Sequence, residues 1–319
     1  MYIQVRIEVI KMQAAFSQKA GYLTDPYRLF YLKGIPQKEI PFHYHDFHKL
    51  LFLLDGQIQY HLEGRTLSLL PGDILLIGAG QLHRPSFEGS LSYERMILYL
   101  SPGDFAGLLR QERTSSSIQK QEKTSQEKTS FPDLLDCFTE GNQSSGNLLR
   151  PAGPDAQVFQ ALAKELIREQ KRPDDYAVLY ERLKVTELMI TVNRSLKNTD
   201  PVLTEEACPH PTISRCMDYV SQHLSEETLC IEDIAKAVFL SKSYLMHLFK
   251  EQTGYSLGDY IAKKRLFLAN QLLQAGHSVT EACYQSGYRN YSAFYYAYKK
   301  RYHVSPAGET KGVQNIHNE

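Results

Sequence analysis

Four residues in the first third of the chain have the types and spacing to do chemistry: His43, His45, Lys49 and His83. His43 and His45 lie two apart, so an extended strand puts them on one face. His83 follows the turn Pro71-Gly72-Asp73 and the short apolar run ILLI. Three imidazoles are enough to hold Zn²⁺, Fe²⁺ or Ni²⁺. Lys49 argues against that use, because an ammonium repels a divalent cation and lysine is not an ordinary ligand at neutral pH. The expectation is no bound metal and no cofactor. Two other uses stay open. The histidines can be hydrogen-bonding structural residues, or they can contact a small polar effector, with Lys49 drawing in an anionic group.

A second group of residues lies near the other end, in NYSAFYYAYKKRYHVSP (290–306). It combines five tyrosines with the basic run Lys299, Lys300 and Arg301. The net charge of the 319 residues is zero, but the charge is unevenly spread: residues 236–306 hold ten Lys and Arg against three Asp and Glu. A local excess of that size is a candidate surface for a polyanion.

The elements that must position these residues fall into several segments. Residues 50–77 alternate in short runs broken by Asp55-Gly56, Glu63-Gly64 and Pro71-Gly72-Asp73, as in a small antiparallel barrel or sandwich. Residues 111–130 contain QEKTS twice in tandem and read as a disordered insertion. Helices are expected over about 155–170 and 174–197. The second carries two apolar stripes, Leu179, Leu183, Thr186 and Ile190 on one side and Val178, Val185, Leu188, Met189 and Val192 on the other. One stripe would cover the barrel. The other, taken as Val185, Leu188, Met189 and Val192, would form a homodimer. Pro201 and CPHP (208–211) punctuate a linker.

From Thr212 the pattern is helical, and it repeats. SKSYLMHLFKEQTGYS (241–256) aligns with NYSAFYYAYKKRYHVS (290–305) at an offset of 49, and IEDIAKAV (231–238) with VTEACYQS (279–286) at 48. Two helix–turn–helix units in tandem account for this. Ala235 and Cys283 would be the small residues where paired helices cross, and Gly287 would take positive φ in the turn. In the first unit Leu245, Leu248 and Phe249 pack, while Ser243, Met246, His247 and Lys250 face outward. In the second Phe294, Ala297 and Tyr298 pack, while Tyr291, Ser292, Tyr295, Tyr296 and Lys299 face outward. Outward tyrosines offer a hydroxyl to phosphate or base edge and a ring to thymine methyls. Lys250, Lys299, Lys300 and Arg301 suit phosphate clamps, and Arg289 belongs to the same surface. The helix between the units, 256–276, would set both recognition helices on one DNA face, in successive major grooves about 34 Å apart.

SYLMHLFKEQTGYSLGDYIAKKRL followed by SVTEACYQSGYRNYSAFYYAYKKRYHVSP strongly resembles the DNA-binding domain of the AraC family of transcriptional regulators, over about a hundred residues. The resemblance implies a double helix–turn–helix domain on promoter DNA. It places base reading on Ser243, Met246 and His247, then on Tyr291, Ser292, Tyr295 and Tyr296. His247 and Tyr296 stand where arginine is frequent in the family. PFHYHDFHKLLFLLDGQIQYHLEGRTLSLLPGDILLIGAGQLHRP (41–85) resembles the cupin-like sensory domain of many members, over roughly residues 22–100. Metal cupins place a glutamate where Lys49 stands, so the resemblance too speaks against metal.

The expected architecture is multidomain α+β. A cupin-like antiparallel barrel (1–110) is followed by the insertion (111–130), a helical dimerisation or packing segment (131–198), a linker (199–211), an all-α double helix–turn–helix domain (212–306) and a flexible tail (307–319). The expected function is a DNA-binding transcriptional regulator, an activator by resemblance, acting through RNA polymerase and open to a small polar effector. A cupin enzyme, an isomerase or dioxygenase, is the alternative; the basic tandem repeat has no role in one. Five cysteines without metal-site spacing fit a reduced compartment, and neither a signal peptide nor a membrane span is evident, so a cytoplasmic location is expected.

Overall fold

The computed structural model describes residues 23, 25–36, 38–87, 92–102, 105, 133–139, 147–172, 174, 176–198 and 211–308. The expected insertion at 111–130, the linker residues 199–210 and the tail from 309 onward lie outside the described residues.

Among the described residues the N-terminal unit has eight strands: β1 (Tyr27–Lys33), β2 (His48–Gly56), β3 (Ile58–Leu62), β4 (Arg65–Leu69), β5 (Ile74–Ile77), β6 (His83–Ser86), β7 (Tyr93–Leu100) and β8 (Leu148–Leu149). They form a five-stranded sheet in the order β1-β7-β2-β5-β8 and a three-stranded sheet in the order β4-β3-β6, antiparallel throughout. The expected barrel is therefore two facing sheets whose ladders do not join among the described residues. Period-2 alternation explains the larger sheet, which is buried on both faces. Leu51, Leu53, Leu75, Ile77 and Ile97 point between the sheets, against Tyr60, Leu62 and Leu67. Leu50, Phe52, Ile74, Leu76, Met96 and Leu98 point outward, under two helices.

Those helices are α1 (Gly153–Glu169) and α2 (Ala177–Asn198). α1 packs through Phe159, Leu162, Ala163 and Leu166, as its spacing predicts. On α2 the assignment of faces is reversed from the sequence reading. Val185, Leu188, Met189 and Val192 are all 0% exposed, in one core with α1 and the large sheet. Val178, Leu179 and Leu183 are the exposed ones, at 68%, 56% and 59%. The larger sheet needs cover on its outer face, and α2 supplies it with the stripe assigned to a partner. Leu188→Ala is expected to cost about 2–5 kcal/mol of unfolding free energy, measured by urea denaturation. A cost below about 0.5 kcal/mol would place that stripe at the surface.

Among the described residues the C-terminal unit has six helices: α3 (Pro211–His223), α4 (Ile231–Ala237), α5 (Lys242–Thr253), α6 (Leu257–Gln274), α7 (Val279–Gln285) and α8 (Tyr291–Tyr302). α4–α5 and α7–α8 are the two helix–turn–helix units, and the sequence offset reappears in the backbone. Ser241 and Asn290, 49 apart, cap α5 and α8 by accepting from the amides of Tyr244 and Ala293. Gly254 and His303, also 49 apart, end those helices at φ 77° and 62°. Phe239 and Gly287, 48 apart, hold the two turns at φ 59° and 85°. Gly287 has a second reason to be glycine: a Cβ there would lie 2.4 Å from the carbonyl oxygen of Leu224. Ala235 and Cys283 are buried where expected.

Candidate nucleic-acid interface and effector site

On α5 the apolar residues Leu245 and Phe249 are fully buried, and Ser243, Met246, His247 and Lys250 are exposed. On α8 Phe294, Tyr298 and Tyr302 are buried. Tyr291, Ser292, Tyr296, Lys299 and Lys300 are exposed, and Tyr295 is half-buried. The five tyrosines of residues 290–306 thus divide in two. Tyr298 donates to Asn270 Oδ1 at 2.6 Å and locks α8 to α6. Tyr291 stacks on Tyr295 at 6.5 Å, and Tyr295 meets Tyr296 edge-on at 5.7 Å, which makes a continuous aromatic ridge on the outer face.

Two basic residues expected on the DNA surface, one of them a phosphate clamp, are held elsewhere. Arg301 Nη2 donates to both carboxylate oxygens of Asp46, each at 2.9 Å, across the boundary between the two units. Arg289 Nε donates to the Glu227 carbonyl at 2.8 Å and braces the connection between α3 and α4. Arg265 does the same at the carbonyls of Leu224 and Glu226.

The four residues of the N-terminal cluster come together. The ring centroids of His43 and His83 lie 4.3 Å apart, those of His45 and His83 4.9 Å, and those of His43 and His45 6.2 Å. Their Nδ1 atoms bond to the carbonyls of Pro41 (2.9 Å), Phe47 (2.7 Å) and Gln81 (2.9 Å), for His43, His45 and His83 in turn. A carbonyl can only accept, so each Nδ1 carries the proton and each Nε2 of the neutral ring is an acceptor. The Nε2 atoms of His45 and His83 are buried without a partner among the described residues. Burial first, then the charge of Lys49, pulls the His43 pKa down to about 4. The same two causes hold His45 well below the ordinary imidazole value. Burial and then the neighbouring histidines do so for His83. Lys49 is itself buried, its pKa lowered foremost by desolvation, and its Nζ donates to the Tyr60 hydroxyl at 3.0 Å. Among the described residues no group of three or more His, Cys, Asp or Glu is arranged to hold a metal ion.

Residues 234–311 match the family model described as a helix-turn-helix domain, and residues 26–174 match the one described as an AraC-like ligand binding domain. The chain belongs to the AraC family of transcriptional regulators. The protein named "Probable transcriptional regulator LumQ" of Photobacterium leiognathi is 24% identical over 270 residues, 84% of this chain and 91% of its own length. The HTH-type transcriptional activator RhaS of Klebsiella pneumoniae strain 342 is 22% identical over 284 residues, 88% of this chain and 91% of its own. The crystal structure of ToxT from Vibrio cholerae O395 matches over 89% of this chain and 97% of that one, at 13% identity and a TM-score of 0.32.

As an AraC-family member the chain is a DNA-binding transcriptional regulator, and the cupin-enzyme alternative is set aside. No described helix is long and apolar enough to cross a membrane. The sequence reading missed His48, Tyr60 and Tyr99 around the histidine cluster. His48 is buried against Phe138, ring centroids 4.4 Å apart, and its Nδ1 accepts from the Ala79 amide. Tyr99 lies 5.8 Å from the His45 ring. Period-2 pairing offered a signal for both tyrosines. Tyr99 pairs with Lys49 across β2 and β7, and Tyr60 lies one residue from His61 on β3, pointing to the opposite face.

Proposed function

We propose that this regulator activates transcription at promoters it reads with α5 and α8, under the control of a small polar effector held near His43, His45, Lys49 and His83. The observation that carries the reading is the pair of equivalent recognition helices, each capped alike and each with an exposed face. Ser243, Met246 and His247 read one half-site, and Tyr291, Ser292, Tyr295 and Tyr296 the other. Lys250, Lys299 and Lys300 clamp phosphates. Arg289 contributes less than these, because its guanidinium is already engaged. Activation, which the Klebsiella relative's name carries, requires contact with RNA polymerase, and promoter DNA puts the protein in the cytoplasm. Mapping of bound genomic sites, with transcript levels in cells lacking the protein, tests this. Bound sites outside promoters, or target transcripts that rise on deletion, would count against activation.

The effector site works without metal. Lys49 is a basic side chain where a divalent cation would want a carboxylate. Protein prepared without a histidine tag is expected to carry far less than one transition metal per chain. About one per chain, lost in His43→Ala, would overturn this.

A homodimer is proposed through the exposed stripe of α2, Val178, Leu179 and Leu183, together with Tyr176 at the helix start. Side chains of this size buried at an interface contribute about 1.5–3 kcal/mol each. Leu179→Glu with Leu183→Glu is expected to give a folded monomer in sedimentation, with an unchanged far-ultraviolet circular dichroism spectrum. A wild-type chain already monomeric at micromolar concentration would exclude the dimer.

A further inference from the structure

Two adjoining pieces of backbone, residues 42–46 and Leu82–His83, carry different residues on their two faces. On one face the rings of His43, His45 and His83 gather in the sensory unit. On the other face Phe42, Tyr44, Asp46 and Leu82 meet the DNA-binding unit. Leu82 is 1% exposed and shares an apolar cluster with Ile213, Leu245, Phe249 and Tyr260, against which Phe42 and Tyr44 also pack. The Phe42 carbonyl accepts from the Tyr255 hydroxyl at 3.3 Å. Lys263 Nζ lies 4.8 Å and the Arg301 guanidinium 5.3 Å from the centre of the Tyr44 ring. Asp46 takes Arg301. Beside this, Glu63 accepts from the Tyr260 hydroxyl and pairs with Lys264 at 3.1 Å, and a Cβ on Gly80 would lie 2.8 Å from the Phe267 ring. The contact is therefore intimate, apolar at its centre and charged at its edge.

The backbone between the faces is pinned. His43 and His83 exchange amide–carbonyl bonds at 3.0 and 2.9 Å, and the His45 carbonyl accepts from the Gly80 amide at 2.8 Å. Side chains of this short segment alternate between the two faces, so a displacement of its backbone moves both sets together. The proposal rests on reading the histidine cluster as the effector site. We propose that residues 42–46 couple that site to the DNA-binding unit: a ligand that donates hydrogen bonds to the buried Nε2 atoms of His45 and His83 and the docking of the two units stabilise each other through this one segment. A ligand with hydroxyl, amide or ammonium donors suits the site, because His45 and His83 offer buried acceptors. A donor on each Nε2 fixes the rings where they stand, and so fixes Tyr44 and Asp46 against α6 and α8. By reciprocity, a ligand that strengthens docking by some factor is itself bound more tightly by that factor in the docked state.

The test uses the full chain, with hydrogen–deuterium exchange of α6 and α8 and the rate at which diethyl pyrocarbonate acylates His43, His45 and His83. Asp46→Asn touches only the docking face. It should speed exchange across residues 255–267 and 301–304, and should also speed acylation of the histidines. His83→Asn alters the inner face, where the His83 ring meets those of His43, His45 and Tyr60. It should speed the same exchange by at least about fivefold, the lower end of ordinary coupling between sites. Exchange within about twofold of wild type in His83→Asn would overturn the coupling. If that variant loses its sheet protection instead, the acylation rate in Asp46→Asn decides, and an unchanged rate overturns the proposal. The effector reading is tested apart from it. Loss of the transcriptional response in His83→Asn with unchanged exchange keeps the effector site and removes the coupling.

Discussion

Replacing Lys299 and Lys300 together by alanine is expected to weaken binding of the full chain to any duplex by on the order of fifty-fold near 0.1 M salt. Both lysines are exposed in the last turn of α8, at the end of the second recognition helix. A lysine that neutralises one phosphate lowers the slope of log K against log salt by about 0.9. Two such contacts therefore account for a slope change of nearly 2, and for roughly an eightfold loss each at that salt. The loss should be uniform across sequences, because phosphates carry no base identity. His247→Ala and Tyr296→Ala should behave in the opposite way. Their salt slopes stay near wild type while preference at one or two base pairs relaxes, by about 1–3 kcal/mol for each well-made base contact. Mobility shifts at several salt concentrations, on specific and unrelated duplexes, separate the two patterns. An unchanged slope in the double lysine variant would move the DNA surface away from the end of α8.

The tandem unit was legible in the sequence because its signals are local. Caps, turn residues and packed positions recur at 48 or 49 whatever lies around them, and the pairs Ser241/Asn290, Gly254/His303 and Phe239/Gly287 are found in matching conformations. The turn-punctuated strands were legible for the same reason. What failed was long-range. Arg301 reads as one more cation in a basic run, and nothing near it in sequence announces Asp46, 255 residues away. The two stripes of α2 are both apolar, so periodicity shows that one must be covered but not which. Only the sheet decides, by needing Val185, Leu188 and Met189 over Leu50, Phe52 and Met96. The histidines were legible as a group. Their tautomer was not, since it is set by backbone carbonyls that every sequence has.

The same burial makes the sensory unit sensitive to acid. Between about pH 6.5 and pH 4 its stability is expected to fall steeply, while above pH 7 these histidines should leave it unchanged. His43, His45, His48 and His83 all have their pKa values lowered, foremost by burial, to about 4 for His43 and about 3 for His48. The sign follows from the proton count. In the unfolded chain each imidazole takes up a proton near pH 6.5, whereas the folded chain takes none until much lower pH. Within that window the unfolded state binds more protons, so stability drops as pH falls. Each histidine contributes about 1.4 kcal/mol per pH unit. Four together reach about 5 kcal/mol per unit at the steepest, against a typical domain stability of about 5–15 kcal/mol. The unit should therefore lose its tertiary packing near pH 5. Urea unfolding followed by near-ultraviolet circular dichroism at pH 7.5, 6.5 and 5.5 would measure the slope. His43→Gln, the least enclosed of the four, should reduce it by about a quarter. A flat stability profile from pH 7 to 5 would mean that the rings are charged in the folded protein, and the lone-pair acceptors invoked for the effector would not exist.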